Sequence, residues 1–217
     1  MITGIIGIKE VSERVQNKNL RTLGNKPLFC WIIDTLLSIE QISEIIINAD
    51  GQNLIQQLNN AYGEKIIVIE REDELKGHGV PMNNIILSSL EMCKNETILN
   101  THVTNPFLKD STIKDAIKSY TSENVGLFSV SKHQSRFYKS NFEPINHDPD
   151  VLLKTQDLEA VYEENSLLYI FSKEEFYKQK NRITKNSKPF VTSKLESIDI
   201  DTEDDWYLST KVAQDIS

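Results

Sequence analysis

The sequence predicts an α/β fold, with helices on both faces of a mainly parallel sheet and a small β-rich excursion. Three observations carry this. Short apolar runs alternate with stretches of helical period from residue 2 to residue 130, the intervening loops are polar, and the alternation breaks only after Ser131. A length of 217 residues suits one domain, read here as 1–217, and leaves little room for a second. With 39% hydrophobic and 26% charged residues, the composition supports a sizeable core and excludes disorder, collagen and a disulfide-stapled peptide.

Residues 2–8 are an almost unbroken apolar run, as expected of a strand covered on both faces. A polar loop over 9–26 follows. Pro27 opens a helix whose inward positions are Leu28, Trp31, Ile32, Thr35, Leu36 and Ile39. Residues 44–48 read as a strand ending at 49–51, and Leu54, Ile55 and Leu58 form the inner face of the next helix. The alternation continues through a strand over 65–69, a loop through Gly77 and Gly79, a helix over 81–93, a strand over 97–103, a helix over 111–120 and a strand over 125–130. Right-handed crossovers between such strands give a Rossmann-like three-layer domain. Beyond Ser131, residues 136–142 alternate like an exposed strand and 146–150 form a turn cluster, so 131–159 reads as an excursion from the main sheet. Residues 167–171 read as a core strand and 197–201 as another. Thr202 and Asp205 stand in capping-box spacing before a final helix.

Lys and Arg number 24 against 32 Asp and Glu, a formal charge of -8, so neither nucleic acid nor an anionic membrane is an expected partner. Cys30 and Cys93 lie in apolar helical patterns outside any metal-ligand spacing, and are expected to be reduced in a cytoplasmic protein. The apolar start is short and lacks a basic leader, so it is not expected to be a signal peptide. No segment approaches the ~20 apolar residues that a membrane span needs.

Ligands of open parallel sheets bind outside the carboxyl ends of the strands, which directs attention to 9–26, 48–51, 71–81 and 102–109. The first of these carries Lys9, Ser12, Arg14, Lys18, Asn19 and Arg21, a set able to hold a triphosphate, although a solvated basic loop is the plainer reading of composition alone. It contains neither a P-loop nor a Gly-x-Gly-x-x-Gly, which weakens ATPase and dinucleotide readings. Asp199 and Asp201 form the sharper feature. Residues two apart on a strand share a face, with Cα atoms roughly 6.6 Å apart, close enough for both carboxylates to meet one hydrated Mg²⁺. Standing alone, the pair would read as two solvent-facing acids at a strand end.

Together these residues resemble a known family. The segment Ser12-Glu13-Arg14-Val15-Gln16-Asn17-Lys18-Asn19, continuing to Lys26-Pro27-Leu28 and Trp31-Ile32, resembles the amino-terminal signature of the CMP-sialic acid synthetases, the acylneuraminate cytidylyltransferases. Residues 101–107 are similar to that family's Gln-Pro-Thr-Ser-Pro-Leu segment, 162–170 to its Asn-Gly-x-x-Tyr strand, and 196–205 to its Ser-Ile-Asp-Ile-Asp-Thr-x-x-Asp motif. The pieces occur in the family's order along nearly the whole chain.

The resemblance implies transfer of a cytidylyl group from CTP to the anomeric hydroxyl of a sialic-acid-like nonulosonic sugar acid, with release of pyrophosphate. It implies nucleotide binding by Lys9, Ser12, Arg14, Lys18, Asn19 and Arg71, with Lys9, Lys18 and Asp201 catalytic and Mg²⁺ held by Asp199 and Asp201. His102, Thr104, Asn105, Asn165 and Tyr169 would line the acceptor side, with His102 also weighed as a general base. Members of the family are typically homodimers, so 131–159 would be the dimerisation element. Another sugar or base, or a non-catalytic nucleotide- or sugar-binding relative, is the alternative. The chain departs from the pattern at Lys9, where the family has arginine, at Glu13, where it has lysine, in the loss of the loop glycines, at Glu163, where an arginine is common, and at Met82, where a small hydroxyl residue is common.

Overall fold

The computed structural model describes every residue except His78 and Ser217. Its elements run β1 (Ile2–Lys9), β2 (Thr22–Leu23), β3 (Lys26–Pro27), α1 (Leu28–Leu37), β4 (Ile42–Asp50), α2 (Gln52–Tyr62), β5 (Ile67–Glu70), α3 (Met82–Leu90), β6 (Thr97–Thr101), α4 (Asp110–Glu123), β7 (Leu127–His133), β8 (Val161–Ser172), α5 (Lys173–Gln179), β9 (Lys188–Thr192) and α6 (Glu203–Ile216). Strands β2 and β3 form a small hairpin, and the others make a seven-stranded sheet in the order β5-β4-β1-β6-β8-β7-β9. Strands β5, β4, β1 and β6 are mutually parallel, β8 is antiparallel to both its neighbours, and β9 is parallel to β7.

Strand geometry sends successive side chains to opposite faces, and the core follows that rule. Ile6 and Ile47 pack with Phe29, Leu36, Leu54 and Ile113 from α1, α2 and α4. Their neighbours Ile5 and Ile46 pack with Ile86, Leu90 and Phe176 from α3 and α5. These are the two helical layers of the expected α/β sandwich. A smaller cluster of Val15, Leu23, Leu28, Phe107, Ile200 and Trp206 joins the first loop to the tail of the chain. The capping box forms: Asp205 N–H donates to Thr202 Oγ1 at 3.2 Å, and Thr202 N–H donates to Asp205 Oδ2 at 2.8 Å.

Two expected strands are corrected. Residues 136–142 make only an isolated bridge between Tyr138 and Pro144, because the chain reverses within a few residues at Phe142, whose φ is 64°. Asn146 closes that excursion, donating to Ser135 O and Glu159 O at 2.8 Å each. Residues 197–201 join no sheet. Turn bonds from Ser197 N–H to Ser193 O and from Ile198 N–H to Leu195 O come first, and Ile200 N–H then reaches Thr104 O at 2.9 Å. Conversely, α5 and β9 are not among the expected elements, since α5 is short and mostly polar and β9 is a short, largely exposed edge strand that carries Pro189.

Candidate functional site

Parallel β1, β4, β5 and β6 end at one edge of the sheet, so the segments after them converge there. A groove of about 200 Å³ opens at this edge, lined by Lys9, Ser12, Arg14, Lys18 and Asn19 from the first loop and by His102 and Thr104 from the loop after β6. Val15, 1% exposed, pins the loop into the small core cluster while its neighbours Glu13 and Arg14 stay exposed. Asn17 takes a left-handed conformation with φ 53°, and its carbonyl accepts from Leu20 and Arg21 N–H, which turns the loop back toward β1. Asn19 Nδ2 then donates to Lys9 O at 2.6 Å and fixes the two ends of the loop together.

The carboxylates at the tail meet the cations at the head. Lys18, buried at 8% exposure, donates through Nζ to Ile200 O and to Asp201 Oδ1, the latter at 3.3 Å. Arg14 Nη2 lies 2.8 Å from the same carboxylate oxygen. Asp199 sits beside them. Burial raises its pKa above the usual carboxylate range, with the Asp201 charge adding to this and Thr104, Lys18 and Arg14 opposing it. Its Oδ1 is buried without a hydrogen-bond partner. Ile198 and Ile200 pack into the small cluster, and Asn105 Nδ2 donates to Ile198 O at 3.2 Å, so this segment is held by the loop after β6 rather than by a strand ladder. The juxtaposition arises from contacts across nearly the whole chain.

Arg71 follows β5 and is buried, its Nε donating to Asn48 Oδ1 at 2.9 Å and its Nη2 to Ile8 O at 3.1 Å and Asn48 O at 3.0 Å. Burial pulls its pKa below the ordinary value, opposed by Asp50. It thus ties β1 and β4 together at the groove's edge. Glu10 caps α2, its Oε2 accepting from Leu54 N–H at 3.1 Å.

Three of the expected acceptor-side residues are directed inward. Asn105 is fully buried in the clasp on Ile198. Asn165 sits at a bulge of β8 beside Ser166, whose φ is 56°. With its amide oriented to satisfy both ends, it donates to Ser129 and accepts from Ser131, Thr192 and Ser197, so its polar atoms are engaged within the protein. Tyr169 is 0% exposed and cannot lay its ring on a sugar. Its hydroxyl donates to Glu164 Oε1 at 2.5 Å, and burial pushes its pKa up to about 12.

The residue missed by sequence reasoning is Arg182, in the connection between α5 and β9. Its guanidinium carbon lies 3.7 Å from the Tyr169 ring centre, and its Nη1 donates to Asn100 Oδ1 at 2.7 Å and to His102 Nε2 at 3.1 Å. Burial, with the Arg182 charge second, pushes the His102 pKa down to about 3. The lone pair a general base would use is therefore already engaged. No local motif surrounds Arg182, which explains why the sequence did not disclose it.

Comparison with known proteins places the chain in a family. The family model described as "Cytidylyltransferase" matches residues 4–214. The chain belongs to the cytidylyltransferase family. It is 29% identical over 214 residues to an N-acylneuraminate cytidylyltransferase of Streptococcus agalactiae serotype V, covering 93% of this chain and 51% of that protein. It is 25% identical over 226 residues to a CMP-N,N'-diacetyllegionaminic acid synthase of Legionella pneumophila, covering 98% of this chain and 96% of that one. The chain spans about half the length of the N-acylneuraminate cytidylyltransferases of Streptococcus agalactiae that it matches. Among solved structures, CMP:2-keto-3-deoxy-manno-octonic acid synthetase complexed with CTP superposes with a TM-score of 0.70 at 10% identity, covering 100% of this chain and 99% of the other. The cytidylyltransferase resemblance read from the four sequence motifs and the expected α/β fold are thus both met. No helix among the described residues is long and apolar enough to cross a membrane.

Proposed function

We propose that this chain transfers the cytidylyl group of CTP to the anomeric hydroxyl of a sialic-acid-like nonulosonic sugar acid, releasing pyrophosphate. The observation that carries the reading is the meeting of Arg14 and Lys18 with Asp201, beside the buried Asp199, in the groove at the carboxyl edge of the sheet. The acceptor hydroxyl oxygen attacks the α-phosphorus and gives up its proton to water, a P–O bond to pyrophosphate breaks, and negative charge grows on the leaving oxygens. Lys9, Arg14 and Lys18 stabilise that charge, and the Ser12 hydroxyl, buried without a partner, donates toward a phosphate oxygen. Asn19 holds the loop in shape through Lys9 O, and Arg71 frames the nucleotide end by fixing the ends of β1 and β4.

The donor set fits Mg²⁺: Asp199 and Asp201 offer hard carboxylate oxygens, one of them buried and unpartnered. When bound, the ion supplies charge neutralisation to the phosphates. The loop of Thr104 and Asn105 holds the segment of the two carboxylates, Asn105 Nδ2 donating to Ile198 O and Thr104 O accepting from Ile200 N–H, where Arg14 and Lys18 can also reach Asp201.

The excursion over 131–159 carries exposed apolar side chains, Phe142 at 84% and Leu152 at 90%, and serves as the dimerisation element of a homodimer. Cys30 and Cys93 are free thiols, in keeping with a cytoplasmic protein. Pyrophosphate release with CTP, Mg²⁺ and a panel of sugar acids tests the reaction. Release with at least one nonulosonic acid is expected. Tight CTP binding by thermal shift without release for any acid would replace the enzyme with a nucleotide-binding relative, a reading that Glu13 in the groove lining favours. Light scattering of the eluted protein tests the dimer, and a monomer at micromolar concentration would exclude it.

A further inference from the structure

We propose that Arg182 is a positioning residue for the acceptor side of the groove, holding the His102 ring so that Nδ1–H is a fixed hydrogen-bond donor to an oxygen of the sugar acid. This rests on the cytidylyltransferase reading and adds a residue that no motif assigns. A guanidinium has donors only, so the 3.1 Å contact with Arg182 Nη1 makes His102 Nε2 an acceptor. A neutral imidazole accepting at Nε2 carries its proton on Nδ1. Among the described residues Nδ1 makes no hydrogen bond, and His102 lines the groove beside Lys9, Ser12 and Thr104. The donor therefore belongs to the surface that a ligand meets.

Arg182 is itself held on two sides. Asn100 Nδ2 donates to Ile5 O at 3.1 Å, which leaves Asn100 Oδ1 facing the guanidinium, and the Tyr169 ring packs under it. Tyr169 is in turn anchored by Glu164 and Ser166. A line of contacts thus runs from the sheet through Asn100 and Tyr169 to Arg182 and then to His102. The depressed His102 pKa agrees with a ring that stays neutral. A donor fixed in this way discriminates acceptors by an oxygen at one position, and its charge state does not vary near neutral pH.

The test uses pyrophosphate release with CTP, Mg²⁺ and the preferred sugar acid. Arg182→Met is expected to raise the acceptor KM by about ten-fold or more, the loss of one oriented hydrogen bond, while kcat and the CTP KM scarcely change. Adding His102→Gln, whose amide donates without help from a guanidinium, is expected to recover most of that loss. A parallel rise in the CTP KM, a collapse of kcat, or a double variant no better than Arg182→Met overturns the proposal. Should Arg182→Met fail to fold, Arg182→Lys is expected to give an intermediate acceptor KM, and an unchanged KM overturns the proposal. If the wild-type protein turns over no sugar acid, the catalytic reading fails separately. Imidazole ¹⁵N NMR then decides the Arg182–His102 arm: an Nδ1–H tautomer supports it, and an Nε2–H or charged ring overturns it.

Discussion

The two edges of the sheet both hold cavities, and the larger lies at the edge away from the cation cluster. At the amino ends of β1 and β6 a space of about 710 Å³ is bordered by Ile2, Thr97, Tyr120 and Thr121, with Glu96, Glu174 and Glu175 and with no Lys or Arg among its lining residues. At the carboxyl ends the groove is only about 200 Å³, yet Lys9, Arg14, Lys18 and Asn19 line it. The contrast extends to buried charge. Near the amino edge Glu44 accepts on Oε1 from Thr3 Oγ1 at 2.7 Å and Lys94 N–H at 2.9 Å, and its one oxygen without a hydrogen bond, Oε2, faces the Lys94 ammonium at 3.8 Å. At the carboxyl edge, Asp199, Ser12 and Asn19 keep buried oxygens without partners. Unsatisfied buried polar atoms cost stability, so their concentration at one edge marks a site kept for a ligand, while volume alone does not.

The comparison breaks most sharply at Asp201. Asp201→Asn is expected to lower pyrophosphate release by about a hundred-fold or more while the circular dichroism spectrum is unchanged, since the residue is partly exposed and anchors no core. Retained turnover would remove Asp201 from the site.

Next comes a matched pair of buried charges. Arg71→Met leaves Asn48 Oδ1, Asn48 O and Ile8 O without their donor, and should cost about 2–4 kcal/mol in urea denaturation and raise the CTP KM. Glu44→Gln keeps the shape and one acceptor near the amino edge, so about 1 kcal/mol is expected with kinetics intact. Equal kinetic effects from the two would erase the distinction between the edges.

Acid sharpens it further. His102 titrates at about 3 in the folded protein against roughly 6.5 when unfolded, so below the unfolded value the unfolded chain binds a proton that the native state refuses. The stability that this neutral ring contributes is complete above roughly pH 6.5 and is lost toward pH 3, at up to about 1.4 kcal/mol per unit. Asp199, whose pKa is raised, acts in the opposite sense and is common to both proteins compared. Denaturation curves of wild type and His102→Gln should therefore converge as the pH falls, and parallel curves would refute the neutral ring. The smallest effect is expected at the other edge: Thr121→Ala, which removes only a bond to Ile117 O within α4, should leave turnover and both KM values unchanged.

Much of this site was legible because its chemistry is dense in sequence. Lys9 to Asn19 follow one strand, and Asp199 with Asp201 sit two apart beside Ile198 and Ile200, which do pack inward although the segment is a turn and not a strand. Asn165 and Tyr169 lie on the expected strand but face the protein's own groups, because a bulge at Ser166 turns Asn165 onto neighbouring hydroxyls, Glu164 and Ser166 engage the Tyr169 hydroxyl, and Arg182 covers its ring. A period-two pattern cannot show a bulge, and a strand's sequence says nothing of what crosses over it.

The sequence by itself determined the alternation of strand and helix, the two-sided core and the family, since apolar period and local motif are properties of neighbouring residues. Tertiary structure alone decided which groups share the groove. Lys18 reaches Asp201 and Arg182 reaches His102 only because the tail and the α5–β9 connection fold back over the carboxyl edge of the sheet. Those contacts depend on chain closure over long separations, which no local pattern encodes.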